Sequence, residues 1–418
     1  MKYPDDIIRE LVYENFEDSI RVDEGIDKSA PAWLAMQNTG TRLWLDTGDI
    51  EAACESWDPT FEALTTNNSL LCLEVERGDY DKFIRHAGER IQKAAPTVGE
   101  RTFLREINLA LSARHGLKLA KTFNTQVSVE LHTDLANEVE RSVDYGRRLY
   151  ALCPEHFIVK VPYTPAGLLA ARRLGQEGVP VNMTLGFSAR QAYLAIRIAN
   201  PSYVNVFLGR LNSYVDDNEL GTGDGVGEKT TRATQRLVSA LRKDGQADTL
   251  LIAASMRSAN QVSALAGIDV LTMPPAVAKA YREKPSMLLD VDLAEGKDPL
   301  IALRPELTSA EFNGATLWNL EEPEHCAISN LMTLKIDALE PDHLTAHFAN
   351  ENVGNFMPLW NLEEVDLLLE GGKIPSHTVW SDQQKSGKLG LDALMNMAAL
   401  GTFVTDQKKL DERIAQLL

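Results

Sequence analysis

Between residues 42 and 273 the chain alternates eight short apolar runs with stretches of helical periodicity. The runs are Arg42–Asp46, Leu64–Ser69, Thr125–Glu130, Phe157–Pro162, Val181–Leu185, Tyr203–Phe207, Thr249–Ala254 and Asp269–Met273. β-branched and aromatic residues dominate them, as expected of buried strands. Parallel strands need long crossovers, and helices of the length found between these runs supply them. The pattern predicts an α/β chain, a parallel sheet closed into a (β/α)8 TIM barrel.

The fourth run carries a lysine inside an apolar strand, Phe157-Ile158-Val159-Lys160-Val161-Pro162. Side chains alternate along a strand, so Lys160 shares a face with Ile158, and Val159 and Val161 take the other. An ammonium among aliphatic side chains loses hydration, which favours the free, nucleophilic amine needed for Schiff-base chemistry. The plain alternative is a strand-end lysine reaching for water.

The other strand ends weigh against that alternative. In a barrel of this type the C-terminal ends of the strands line the active site. Here those ends are Asp46, Asn67, Glu130, Lys160, Thr184, Phe207 with Arg210, and Ser255 with Arg257. A polar group at nearly every strand end reads as one pocket, although the alternation at Thr125–Glu130 also suits a solvated sheet face.

The helical segments carry start and stop signals. Residues 4–38 read as amphipathic helix, and Asp79 as the N-cap of a helix over 79–95, followed by another over 99–116. A helix at about 135–152 precedes the Lys160 strand. Thr164-Pro165 opens the next helix, Gly178-Val179-Pro180 breaks it, and Ser188-Ala189-Arg190-Gln191 is a capping box. Residues 212–228 read as a glycine-rich acidic loop leading into a helix at about 229–243. Its Gly227-Glu228-Lys229-Thr230 is not a phosphate-cradling loop, because Glu228 interrupts the Gly-Lys step.

The net charge of −18 offers no basic surplus for nucleic acid or an anionic membrane. A few placed arginines still suffice for small anionic substrates. Cys54, Cys72, Cys153 and Cys326 are scattered without a CxxC pair, which fits a reduced, cytoplasmic protein. The N-terminus lacks a signal-peptide core and no apolar stretch is long enough to span a bilayer, so a soluble protein is expected.

Seven motifs, in order, resemble the strand motifs of transaldolases: Leu45-Asp46-Thr47-Gly48-Asp49, Thr65-Thr66-Asn67-Asn68-Ser69, Val127-Ser128-Val129-Glu130, Val159-Lys160-Val161, Val181-Asn182-Met183-Thr184-Leu185-Gly186-Phe187-Ser188, Phe207-Leu208-Gly209-Arg210 and Ala254-Ser255-Met256-Arg257. The tail Phe403-Val404-Thr405-Asp406-Gln407-Lys408-Lys409-Leu410 is similar to the terminal helix that closes the transaldolase site. The resemblance covers roughly 40–285 and about 390–418. It implies a Schiff-base transferase that moves a dihydroxyacetone unit from a ketose phosphate to an aldose phosphate, as in the pentose phosphate pathway, with no metal and no cofactor. Lys160 would attack the ketose carbonyl, and Glu130 would shuttle protons through a water held with Thr184. Asp46 would take the C4 hydroxyl proton. Asn67, Asn182, Asn205 and Phe207 would contact the sugar, and Arg210, Ser255 and Arg257 its phosphate.

The chain departs from the resemblance in places. Asn68 stands where a proline is usual, and Asn205 where a serine usually contacts the dihydroxyacetone unit. Tyr163-Thr164-Pro165-Ala166-Gly167 resembles the shorter branch, which includes fructose-6-phosphate aldolases. That aldolase branch has glutamine where this chain has Glu130, so Glu130 favours transfer over release of dihydroxyacetone. Two alternatives stand beside the transferase. One is a Schiff-base lyase that releases dihydroxyacetone or acts on a modified sugar of specialised metabolism; the other is a barrel repurposed for binding.

Three segments are expected: a barrel over 1–285, an insertion over 286–385, and a closing helix over 386–418. The insertion holds Leu317-Trp318-Asn319-Leu320-Glu321-Glu322 and again Leu359-Trp360-Asn361-Leu362-Glu363-Glu364. This reads as a duplicated helix start with Trp318 and Trp360 packed equivalently, or as two ligand-stacking tryptophans. The first copy follows Ser309-Ala310-Glu311-Phe312, which is similar to the late part of ordinary transaldolases; the second copy reads as added. His343 and His347 are spaced for one helical face, but no third metal ligand accompanies them. The segment has the freedom to cover the pocket, join subunits in a homo-oligomer, or bind a regulator.

Overall fold

The computed structural model describes residues 5–16, 29–285, 289, 291–294, 296–304 and 312–418. Helices α1 (Asp5–Tyr13) and α2 (Pro31–Gln37) precede β1 (Arg42–Asp46), α3 (Ile50–Ser56), β2 (Phe61–Thr65) and α4 (Asn68–Glu76). There follow α5 (Asp81–Ala94), α6 (Glu100–Phe123), β3 (Gln126–Glu130), α7 (Val139–Leu152), β4 (Phe157–Pro162) and α8 (Pro165–Gln176). Next come β5 (Val181–Thr184), α9 (Ala189–Ala199), β6 (Tyr203–Phe207), α10 (Leu208–Asp217) and α11 (Val226–Lys243). The barrel ends with β7 (Leu250–Ala254), α12 (Ala259–Ala264), β8 (Val270–Met273) and α13 (Pro275–Glu283). All eight strands are parallel and closed in sequence order, with β8 paired to β1.

The barrel interior follows from strand alternation. Leu43 and Leu45 of β1 face the outer helices, and Trp44 and Asp46 share the other face. Trp44 meets Tyr203 of β6 edge-on inside, with ring centroids 4.8 Å apart. Aromatic rings therefore fill the lower interior and polar groups collect at the upper rim.

Where boundaries differ from expectation, a local interaction explains the shift. The strand expected over 64–69 is 61–65, because Asn67 Oδ1 accepts from the Leu70 amide at 2.9 Å and caps α4 instead. The α5 cap is Tyr80 and not Asp79: the Gly78 turn runs on to Asp81, whose amide donates to the Gly78 carbonyl. α6 continues to Phe123, well past 116. The loop expected over 212–228 shrinks because Leu208, Leu211, Tyr214 and Val215 form a buried helical stripe, which the intervening polar residues hid. Thr164 and Ser188 cap α8 and α9 as expected, but the capping box at Ser188 is not closed, because Gln191 Oε1 accepts from the Phe187 amide at 2.8 Å and not from that of Ser188.

After the barrel come α14 (Ala315–Trp318), α15 (Glu322–Leu331), α16 (Pro341–Asn350), α17 (Leu362–Gly371), α18 (His377–Lys385) and α19 (Leu391–Leu417). Ser309, Ala310 and Glu311, which lead into the first hexamer copy, lie outside the described residues, as do residues 4 and 17–28 of the expected N-terminal helix. Each hexamer copy does lead into a helix, but the two are not equivalent. Asn361 caps α17, whereas the matching Asn319 lies two residues before the α15 cap, Glu321. Pro323 is the reason: it is tolerated only in the first turn, so α15 cannot start as early as α17 does. Trp318 lies beside Phe312 and under the Lys229 ammonium, while Trp360 packs edge-on against Trp380. The expected equivalent packing of the two tryptophans is thus overturned. His343 Nδ1 accepts from the Glu340 amide, closing the α16 cap, and His347 Nε2 lies 2.8 Å from the Ala327 carbonyl. Both histidines hold the helices of the insertion.

α19 lies across the C-terminal rim of the barrel. Asn396 donates to the Tyr163 and Leu185 carbonyls at the ends of β4 and β5, and Asp406 accepts from Ser69 Oγ at 2.6 Å. A buried ion network anchors its start. Arg190 of α9, fully buried, donates from Nε and Nη2 to Asp392 at 2.8 and 2.7 Å and from Nη1 to Glu324 of α15. Among the described residues no helix is long and apolar enough to cross a membrane.

Candidate active site

Register brings the central side chains together. Glu130 of β3 pairs with Lys160 of β4, and Lys160 with Asn182 of β5. Residues level with one another on adjacent parallel strands face the same way, so all three enter the barrel. Lys160 is only 4% exposed. Its Nζ lies 3.9 Å from Glu130 Oε1 and donates to the Thr66 carbonyl at 3.3 Å. The expectation of an amine among aliphatic neighbours is therefore corrected: of the apolar side chains of β4 only Ile158 shares the inner face, Phe157, Val159 and Val161 face outward, and the lysine sits in a polar chamber.

Two carboxyls share that chamber. Asp46 Oδ1 accepts from Thr65 Oγ1 at 2.8 Å, and Thr65 is in turn 2.9 Å from Thr272 Oγ1. Glu130 Oε2 accepts from the Asn68 backbone amide at 3.2 Å. A proline at 68 has no N–H, so the asparagine supplies Glu130 with a donor. Burial pushes both carboxyls above the usual range, opposed by the Lys160 ammonium and by these hydrogen bonds; the Asp46 charge adds to the rise at Glu130.

The raised Asp46 carboxyl has a consequence for stability. The folded protein holds this proton more tightly than the unfolded chain does. Its stability contribution is complete below the unfolded carboxylate range and is lost as pH climbs through the folded value. Asn at this position still accepts from Thr65 but never ionises. Asp46→Asn is expected to raise Tm by about 2 °C at pH 7.5, with the gain gone below about pH 4. Melting curves at both pH values check this; an equal gain at both would show that ionisation is not the cause.

A cavity of about 350 Å³ opens on this group. Asp46, Asn67, Lys160, Asn182, Asn205, Phe207, Arg210 and Ser255 of the expected set line it. Asn182 donates to Ser128 Oγ at 3.0 Å and accepts from Asn205 Nδ2 at 3.4 Å, while Asn205 Oδ1 takes the Gly186 amide. Asn67 spends its carbonyl on the α4 cap. Glu130, Thr184 and Arg257 lie outside the lining. Thr184 is fully buried and its Oγ1 has no partner among the described residues.

The cavity wall around Arg210 is cationic. Arg210 is 4% exposed, its Nη1 has no partner among the described residues, and burial, then the Arg257 charge, pushes its pKa down to about 10. A guanidinium so placed has hydrogen-bonding capacity for an anion. Arg257 reaches it across Gly209, where a Cβ would collide with the Ser255 carbonyl and press on Arg257 Nε. Ser255 itself adopts φ 63°, an uncommon left-handed conformation for a serine and one that concentrates at functional sites.

The sequence profile of the transaldolase/fructose-6-phosphate aldolase family matches residues 43–321, two thirds of the chain. The chain belongs to this family. A probable transaldolase of Thermus thermophilus is 40% identical over 255 residues, covering 60% of this chain and 94% of the relative. A transaldolase of Kluyveromyces lactis is 27% identical over 307 residues, 71% of this chain and 86% of the relative. The family match ends within the first hexamer copy, so α15–α19 lie beyond it.

Those helices nevertheless reach the cavity. Lys373, in the α17–α18 turn, and Thr402, Phe403 and Asp406 of α19 complete its lining. The Phe403 ring centroid lies 5.9 Å from Lys160 Nζ and 5.6 Å from the Arg210 guanidinium carbon. Phe403 and Asp406 are part of the terminal-helix resemblance, but Lys373 had no signal in the sequence beyond Gly371-Gly372 before it. Among the described residues no group of three or more His, Cys, Asp or Glu is placed to hold a metal ion.

Proposed function

We propose that the chain is a Schiff-base transaldolase that moves a dihydroxyacetone unit from a ketose phosphate to an aldose phosphate. The observation that carries this reading is a buried lysine, Lys160, flanked by two carboxyls that burial protonates more readily, inside a cavity with a cationic end.

Lys160 Nζ adds to the ketose C2 carbonyl, and loss of water from the carbinolamine gives the iminium. Glu130, 3.9 Å from Nζ, supplies and recovers the protons of these steps, with the unpartnered Thr184 hydroxyl available to hold the water. Asp46 accepts the C4 hydroxyl proton as the C3–C4 bond breaks. The enamine left on Lys160 then adds to the carbonyl carbon of the aldose phosphate, and hydrolysis frees the new ketose. Environments that differ, Thr65 at Asp46 and the Asn68 amide at Glu130, let the two acids carry different proton duties. Asn67, Asn182, Asn205 and Phe207 hold the sugar; Arg210, Ser255 and Arg257 hold its phosphate. The barrel, the added helices and α19 act as three parts of one site, the last two forming its cover.

Acceptor dependence tests the reading. With fructose 6-phosphate alone, turnover is expected to stop near one equivalent of released aldose phosphate, and to become catalytic when erythrose 4-phosphate is added. Steady release of dihydroxyacetone without acceptor would replace the transferase with a lyase.

A further inference from the structure

We infer that Lys373, supplied by helices outside the family-matched segment, is a third cation of the phosphate end of the site and sets its preference for phosphorylated sugars. The inference rests on the functional reading above and adds a recognition residue to it.

Lys373 lines the same cavity as Lys160, Arg210 and Ser255. Among the described residues it makes no ion pair with a carboxylate. Partial burial pushes the pKa of its ammonium down, and the like charges of Arg210 and Arg257 add to that, with Asp406 opposing. Like charges gathered without a matching anion are costly, and a phosphate dianion relieves all three together. Asp406 does not fill that role, since it is already bonded to Ser69 and lies 3.3 Å from Lys409.

The position of Lys373 is held by its surroundings. Gly372 has φ 72° and ψ −149°, a conformation essentially confined to glycine, and it turns the chain out of α17. Asn218, which follows α10, then grips the turn: its Nδ2 donates to the Pro375 carbonyl at 3.1 Å and its Oδ1 accepts from the His377 amide at 2.7 Å. Tyr214 of α10 lies 2.9 Å from His377 Nδ1. α10 is the helix whose first turn carries Arg210, so one element fixes both cations.

The test measures the ratio of kcat/KM for fructose 6-phosphate to that for fructose. Lys373→Met is expected to lower this ratio about tenfold, Lys373→Arg to restore most of it, and Arg257→Ala to lower it comparably. Gly372→Ala, which keeps the ammonium but displaces it, is expected to lower it severalfold. A second readout needs no turnover: inorganic phosphate should raise the Tm of the wild type, and Lys373→Met should need about tenfold more phosphate for the same rise. If phosphate protects the wild type and Lys373→Met alike, or the ratio does not change, the inference is overturned while the transaldolase reading stands. If phosphate protects as expected but no ketose reacts, the anion site stands and the transaldolase reading fails.

Discussion

Lys160→Met is expected to lower turnover by more than about 10⁴-fold and to abolish the borohydride-stable adduct expected of the wild type with fructose 6-phosphate. Methionine fills nearly the same volume as lysine, so the barrel should still fold. What it removes is the nitrogen proposed to bond to the sugar. It also removes the positive charge that opposes the burial-driven rise at Asp46 and Glu130, so both carboxyls should shift further upward. Peptide mass mapping of the reduced wild-type adduct should find the ketose on Lys160. Because Lys373 also lines the cavity, mapping is decisive: an adduct on Lys373, or one that survives Lys160→Met, would sink the assigned nucleophile.

Asp392→Ala is expected to cost about 3–5 kcal/mol, measured from the shift of the urea midpoint. Arg190 and Asp392 are both fully buried, and Ser188 Oγ also donates to Asp392, at 2.7 Å. Burial disfavours the Arg190 charge, but Asp392 and Glu324 outweigh it and hold the guanidinium firmly protonated. Removing the aspartate leaves that cation under-compensated in the interior. The pair also fixes the start of α19, the helix that brings Phe403 and Asp406 over the cavity, so activity should fall with stability. Lys408→Ala is the matched control. Its partner Glu412 is 4.0 Å away and both side chains are largely exposed, so a loss below about 0.5 kcal/mol is expected. Similar losses in the two variants would mean that the Arg190 network does not anchor the helix.

Strand identity and order were legible because each run is short, apolar and bounded by turn residues. The closed barrel and the inward Lys160 followed from that pattern. Which strand-end side chains face inward was legible for the same reason, since a period of two assigns a face to every strand residue from Asp46 to Asn205 without any distant contact. Boundaries set by a single hydrogen bond, such as the Asn67 cap of α4, or by one ring, as with Pro323, were harder to read, because strand propensity and helix start compete over the same residues.

The sequence by itself determined a parallel barrel with one lysine and two carboxylates at its rim, because local periodicity and short crossovers leave that topology little freedom. Only the tertiary structure decided that Asn68 gives Glu130 its backbone donor, that Arg190 pins the closing helix through Asp392, and that Lys373 reaches the cavity from more than 160 residues beyond Arg210. Those contacts join residues far apart in the chain, and no local pattern encodes a distance across the fold.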